Sequence, residues 1–166
     1  MFRLMLLRHA KSDWTEPKQE DSERPLNGRG RRAAPLLGQK ILSQDQLPDR
    51  VLCSTAVRAQ ETWNGLIETW PDDEVQRIEV LFLSKLYLAS PATILQTADE
   101  YQTDCNALLV VGHNPGMELL ASQLANQPIV MKTAHLVIFE AEPGWPKNPS
   151  DPVSWHLTTN QRGESD

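Results

Sequence analysis

The 166-residue chain has little cysteine. Cys53 and Cys105 are its only two, and no CxxC pair or Cys/His cluster accompanies them. That excludes a disulfide framework and a thiolate metal site. Both thiols lie in apolar, strand-like runs, so they are expected to be buried and free, as in a cytoplasmic protein. No apolar run approaches the ~20 residues that cross a bilayer, so no membrane span is expected. The apolar stretch at Met1–Leu7 is too short for a secretion signal and Arg8 breaks it. Positive charge is also in deficit: 16 Lys and Arg face 22 Asp and Glu, a net charge of −6. Nucleic acid and anionic membrane are therefore not expected partners, although a local basic pocket remains compatible with this balance. Aromatic residues make up 6% of the chain, and Trp14, Trp63, Trp70, Trp145 and Trp155 do not alternate with basic residues. They read as core and rim packing rather than a stacking array.

What is present is a core. Apolar residues make up 40% and charged residues 23%, the balance of one globular domain. That domain is assigned to residues 1–159, and the polar residues 160–166 read as a frayed tail. Arg3–Arg8 reads as a buried first strand and residues 9–26 as a long, polar, functional loop. A helix is expected from Asn27, its N-cap, to about Ser43, bent or interrupted at Pro35. Arg50–Ser54 reads as a second strand. A helix capped by Ser54 or Thr55 and ending near Thr69 comes next, then a strand over Val75–Leu81. Ser90-Pro91 opens a helix to about Tyr101. Ala107–Val111 is the clearest buried strand, followed by Gly112-His113-Asn114-Pro115-Gly116 and a helix to about Ala125. Leu136–Phe139 and Val153–Leu157 read as a hairpin around the Pro- and Gly-rich segment 143–152. Alternating strands and helices predict a three-layer α/β/α sandwich with a mostly parallel sheet. Ligands in such sheets bind beyond the carboxyl ends of the strands.

Three chemically loaded segments fall at those ends. Arg8-His9 comes after the first strand, Ser54-Thr55-Ala56-Val57-Arg58 after the second, and Gly112-His113-Asn114 after the strand at 107–111. If the strands are neighbours, two arginines, two histidines and two helix N-termini meet in one crevice. Each of these favours an oxyanion. The result is a phosphate pocket that needs neither metal nor cofactor.

The blocks Leu7-Arg8-His9-Ala10-Lys11-Ser12, Arg24-Pro25-Leu26-Asn27-Gly28-Arg29-Gly30, Ser54-Thr55-Ala56-Val57-Arg58-Ala59-Gln60-Glu61-Thr62 and Val111-Gly112-His113-Asn114-Pro115 resemble the histidine phosphatase superfamily. The branch they resemble is that of the small SixA-type phosphohistidine phosphatases, over about residues 3–140. The resemblance implies a phosphoglycerate mutase-like fold and a phosphatase that works without a cofactor. It makes His9 the nucleophile and Arg8, Arg58 and His113 its catalytic and substrate-binding companions, with Arg24 and Asn114 added on the substrate side. The implied partner is a phosphorylated protein of the histidine phosphotransfer type or a small phosphorylated molecule.

Two features depart from the superfamily. Ala10 stands where larger members have glycine. In addition, the stretch Phe82-Leu83-Ser84-Lys85-Leu86-Tyr87 has no glutamate to serve as general acid, and Glu79, inside a predicted strand, is a poor substitute. An alkoxide leaving group needs a proton, whereas an imidazole whose conjugate acid has a pKa of ~6.5 scarcely does. The expected substrate is therefore a phosphoramidate such as phosphohistidine. A small-molecule phosphomonoesterase and a non-catalytic phosphate reader remain as alternatives. Ser12 and Asp13 are read as loop residues, Tyr87 as loop packing that could line the cleft, and His135 and His156 as strand or hairpin residues. Arg29, Arg31 and Arg32 are read as a solvated helix face, with a docking surface for an acidic partner as the minor alternative.

Overall fold

The computed structural model describes residues 1–163. Its six strands are β1 Phe2–Arg8, β2 Arg50–Ser54, β3 Glu79–Leu83, β4 Ala107–Gly112, β5 His135–Ala141 and β6 His156–Arg162. They form one sheet in the order β3-β2-β4-β1-β5-β6. The pairs β3–β2, β2–β4 and β4–β1 are parallel, and β5 is antiparallel to both of its neighbours. The sheet is mostly parallel, as expected. Buried on both faces, its central strands read as continuous apolar runs. β4 is buried at all six positions.

Successive residues of each strand feed opposite layers. Met5, Leu7, Val51, Cys53, Leu109 and Val111 face α1 (Gly28–Ser43) and α2 (Val57–Ile67). Leu4, Leu6, Leu52, Leu108 and Val110 face α4 (Pro91–Tyr101) and α5 (Gly116–Ala125). A short helix, α3 (Asp72–Val75), lies between α2 and β3. Asn27 caps α1 by accepting from Gly30 N–H at 3.0 Å, and Ser90 caps α4 by accepting from Thr93 N–H at 3.1 Å; both caps were expected.

Four local expectations are corrected. α1 runs through Pro35 without interruption. Helices α1 and α2 pack so closely that a Cβ on Gly65 would lie 2.7 Å from the Ala34 Cβ, and this packing outweighs one lost backbone bond. Ser54 and Thr55 do not cap α2: the N-cap is Ala56, without a side-chain bond. The third strand starts at Glu79, not Val75. Pro71 followed by Asp72, Asp73 and Glu74 makes a favourable helix start, and Val75 and Ile78 pack on the α1/α2 side of the core. The last strand begins at His156 and runs through Arg162, so the boundary drawn at 159 falls inside it. Its polar sequence carries no apolar run, because one face of this edge strand meets water. The Gly163 N–H still donates to Ala134 O at 3.0 Å. The rest of the expected tail, 164–166, lies outside the described residues.

Candidate active site

The sheet order places the carboxyl ends of β2, β4 and β1 side by side. Arg8 pairs with Gly112 and Cys53 with Val111, so the residues just beyond each strand converge. The His9 N–H donates to Gly112 O at 3.1 Å, which ties the first block directly to the fourth. Two glycines permit the remaining approaches. A Cβ on Gly30 would lie 2.2 Å from Lys11 O, and one on Gly116 would lie 1.9 Å from Ala89 O. The first position lets α1 close on the loop after His9. The second lets the 87–89 loop close on the start of α5.

His9 is 7% exposed. Its Nδ1 lies 2.7 Å from Ala10 O, and its Nε2 lies 3.2 Å from Arg58 Nε. A carbonyl only accepts and a guanidinium only donates. Both partners therefore impose one tautomer, with the proton on Nδ1 and a lone pair on Nε2. The Ala10 peptide is itself held, because its N–H donates to Thr62 Oγ1 at 2.9 Å while the Thr62 hydroxyl donates to Arg58 O at 2.6 Å. Arg58 reaches from the first turn of α2. Its Nη1 donates to Asp21 O at 2.5 Å and its Nη2 to Asp21 Oδ2 at 2.9 Å. Tyr87 Oη donates to the same Asp21 oxygen at 2.6 Å.

His113 is 2% exposed. Its ring lies 5.0 Å from that of His9 and 5.5 Å, edge-on, from that of Tyr87. Its Nε2 lies 2.7 Å from Ser54 Oγ, and its Nδ1 is buried with no partner among the described residues. Arg8 Nη1 and Asn114 Nδ2 both donate to Met131 O, at 2.8 and 2.9 Å. Glu118 Oε2 accepts from Met131 N–H at 2.9 Å and from Asn114 Nδ2 at 3.3 Å. The carbonyl and the carboxylate thus brace the Arg8–Asn114 side of the pocket. Arg8 Nε and Asn114 Oδ1, like His113 Nδ1, are buried and unpartnered among the described residues. Arg24 is buried beneath Trp14, its guanidinium carbon 4.2 Å from the ring, and Nε lies 3.8 Å from Asp21 Oδ1.

The structure thus brings together His9, Arg8, Arg58, His113 and Asn114, with Arg24 on the loop that carries Asp21. Ser12 and Asp13 stay in their own loop: Ser12 Oγ accepts from Trp14 Nε1 and Asp13 Oδ1 from Thr15 N–H. His135 pairs with Asn160 across β5 and β6, and His156 is exposed on β6. Arg29, Arg31 and Arg32 are exposed on α1, as a solvated face requires. Sequence reasoning missed Asp21 and took Ser54 for a cap; Tyr87, read as loop packing that could line the cleft, does line it, against Asp21 and His113. Asp21 sits three residues before Arg24 in a polar loop, and only tertiary contact distinguishes it from neighbouring Glu20 and Glu23.

Burial dominates the electrostatics. Desolvation, with the charges of Arg58 and Arg8, lowers the pKa of His9 to about 4 against the opposing pull of Ala10 O. Desolvation, then His9 and Arg58, lowers that of His113 to about 3. Both rings are neutral at pH 7. The Tyr87 hydroxyl and then Arg58 hold the Asp21 carboxyl below its ordinary range, so it stays an anion and an acceptor. In the unfolded chain the two imidazoles titrate near 6.5. Below that pH the unfolded state binds more protons than the folded one. Stability should therefore fall as pH drops from 6.5 toward about 4 for His9 and about 3 for His113. Urea midpoints at pH 7 and pH 4.5 are expected to differ less in a His9→Asn/His113→Asn double variant than in the parent. Equal differences would mean that these rings are not held neutral.

Among the described residues, no group of three or more His, Cys, Asp or Glu side chains could hold a metal ion, and no helix is long and apolar enough to cross a membrane. Both cysteines are free, Cys53 buried and Cys105 partly so.

An Arg-His pair, a second arginine and a second histidine gathered at the carboxyl edge of a mostly parallel sheet define a class. The chain belongs to the histidine phosphatase superfamily (branch 1), whose family model matches residues 4–81, and it has the SixA-type fold. The structure of the candidate phosphohistidine phosphatase SixA from Agrobacterium tumefaciens superposes with a TM-score of 0.81 at 25% identity, over 96% of this chain and 97% of that one. In sequence, a protein of unassigned function from Mycobacterium tuberculosis is 38% identical over 120 residues, 72% of this chain and 70% of the relative. A chloroplastic protein of Arabidopsis thaliana, also of unassigned function, is 32% identical over 147 residues. The match takes in 84% of this chain, which spans 66% of the plant protein's length.

Proposed function

We propose that the chain is a phosphohistidine phosphatase, or a close phosphoramidate hydrolase, acting through a phosphohistidine intermediate on His9. The observation that carries this reading is the fixed tautomer of His9: a buried, neutral ring whose Nε2 lone pair faces Arg58 while Ala10 O holds the proton on Nδ1. Such a nitrogen is a nucleophile without needing a base. It would attack phosphorus in line as the bond from phosphorus to the substrate nitrogen breaks; a substrate ring already protonated on its other nitrogen would leave as neutral imidazole, and the positive charge would pass to the His9 ring, which keeps its proton on Nδ1. Water would then cleave the new P–N bond, releasing phosphate and restoring His9 with Nδ1 still bonded to Ala10 O.

Arg58 Nε would pass from His9 Nε2 to a phosphoryl oxygen, while Asp21 keeps its terminal nitrogens in place. Arg8, His113 and Asn114 would bind the other oxygens, and Arg24 would reach the outer face of the group. Charge stabilisation of this kind is the main requirement of phosphoryl transfer. The partner would be a phosphorylated protein of the histidine phosphotransfer type or a small phosphoramidate; the Agrobacterium protein is described as a candidate phosphohistidine phosphatase. The two free thiols fit a cytoplasmic location.

A small-molecule phosphomonoesterase is the second reading. The observation in its favour is that Asp21 brings a carboxyl group to the pocket. Held ionised by Tyr87 and Arg58, that carboxyl is a poor proton donor, which favours substrates whose leaving group needs none. Across aryl phosphates with leaving-group pKa from ~4 to ~10 (the upper end that of tyrosine), phosphoenzyme formation should slow steeply as pKa rises. Phosphohistidine should react on the fast side, and serine or threonine phosphates very slowly. A flat dependence, with alkyl phosphates as fast as phosphohistidine, would put the phosphomonoesterase first, with Asp21 as its acid. Activity should also survive exhaustive chelation, because a pocket rich in arginine repels a divalent cation, and orthovanadate should compete with substrate. Loss on chelation with recovery in Mg²⁺ or Zn²⁺ would contradict this.

A further inference from the structure

The second histidine has one nitrogen occupied and one open. Ser54 is fully buried at the end of β2, and its Oγ has two partners among the described residues. The Ala56 N–H donates to it at 3.3 Å, and His113 Nε2 lies 2.7 Å away. A hydroxyl has one proton to give. If His113 Nε2 carried a proton and donated it to Ser54, the Ser54 proton would have no acceptor among the described residues, and the buried His113 Nδ1 lone pair would have no donor. If the Ser54 hydroxyl instead donates to His113 Nε2, it is fully satisfied, and the single open group is an N–H on His113 Nδ1. Leaving buried polar groups unpaired costs more than a made bond gains, so the second arrangement wins.

We infer that Ser54 is a positioning residue: by donating to Nε2 it fixes His113 as the Nδ1–H tautomer, which leaves a neutral N–H donor open on a ring 5.0 Å from that of His9. This rests on the reading of the pocket as a phosphoryl site and assigns it two rings of opposite character. One ring presents a lone pair to phosphorus. The other presents a hydrogen-bond donor to an oxygen of the group being transferred. With its pKa lowered to about 3 by burial and the neighbouring charges, the His113 ring takes up no second proton across the physiological range and stays a neutral donor. A neutral donor suits a pocket already crowded with guanidinium charge, since an imidazolium beside His9 would repel both arginines.

The test reads the tautomer directly. Nitrogen-15 spectra of the ligand-free protein, with His113 identified among the four histidines by its loss in His113→Asn, should show Nδ1 as the protonated, pyrrole-like nitrogen and Nε2 as the pyridine-like one. In Ser54→Ala the His113 signals should move toward a mixture of tautomers, and Ser54→Thr should restore the parent pattern. With an activated aryl phosphate as substrate, Ser54→Ala should lower kcat roughly tenfold, about the value of one hydrogen bond made in the transition state. KM should change little, and Ser54→Thr should recover most of the rate. A parent spectrum with the proton on Nε2 would overturn the inference. So would a Ser54→Ala spectrum identical to the parent. If the spectra behave as expected but no phosphoramidate is turned over, the substrate assignment fails and the role of Ser54 in setting the tautomer stands.

Discussion

Replacing His9 with alanine is expected to lower turnover by at least ~10⁴-fold, the scale on which loss of a nucleophile is felt when the rest of the site survives. The expectation rests on geometry rather than on the presence of a histidine. Among the described residues, no other neutral nitrogen in the pocket has a lone pair held open by a backbone carbonyl on the opposite side of its ring. Ala10 O holds Nδ1–H, Thr62 holds the Ala10 peptide, and Nε2 is left for phosphorus. The fold should persist, because β1 ends one residue earlier and its core residues Leu4–Leu7 are untouched. Rapid quench of the parent should trap an acid-labile, base-stable phosphoryl group on the peptide that contains His9, and the variant should trap none. An active His9→Ala protein would refute the covalent mechanism.

Arg58→Lys is expected to cost roughly 10²-fold or more in rate, comparable to losing one oxyanion donor, although the charge is kept. Arg58 uses three nitrogens at once: Nε toward His9, and Nη1 and Nη2 toward Asp21. This division lets the guanidinium stay anchored by its fork while Nε turns from the nucleophile to the substrate. An ammonium has no planar fork and cannot hold both ends. Lysine would also leave the Asp21 carboxylate with Tyr87 as its remaining short bond. Rates with an activated aryl phosphate, together with the inhibition constant of orthovanadate, check this. Both should worsen in Arg58→Lys. Near-normal values would mean that Arg58 acts only as a distant charge.

Much of this candidate site was legible because residue types that favour an oxyanion leave strong local marks. Arg8 ends a strand, His9 and His113 stand directly after one and Arg58 lies in the first turn of the next helix, and a parallel sheet collects such positions at one edge. The apolar runs of β1, β2 and β4 were readable because the strands are buried on both faces. The edges were not. β6 is polar, and β3 starts four residues later than apolar content suggests, because backbone pairing rather than side-chain burial decides where an edge strand lies. Pro35 misled for a related reason: the close contact between α1 and α2 overrides a local preference.

By its order of residue types alone, then, the sequence determined the layered α/β fold, the identity of the pocket histidines and arginines, and the lack of a glutamate between Phe82 and Tyr87. These are properties of short segments, set by periodicity and by the residue types at the carboxyl end of each strand. The tertiary structure alone decided which nitrogen of each ring is free, that Ser54 serves His113 rather than a helix end, and that Asp21 reaches across 37 residues of sequence to hold Arg58. A tautomer or a pKa depends on the direction and burial of a few partners within about 3 Å, and those partners come from different strands and loops. Only closure of the sheet brings them within reach of one another.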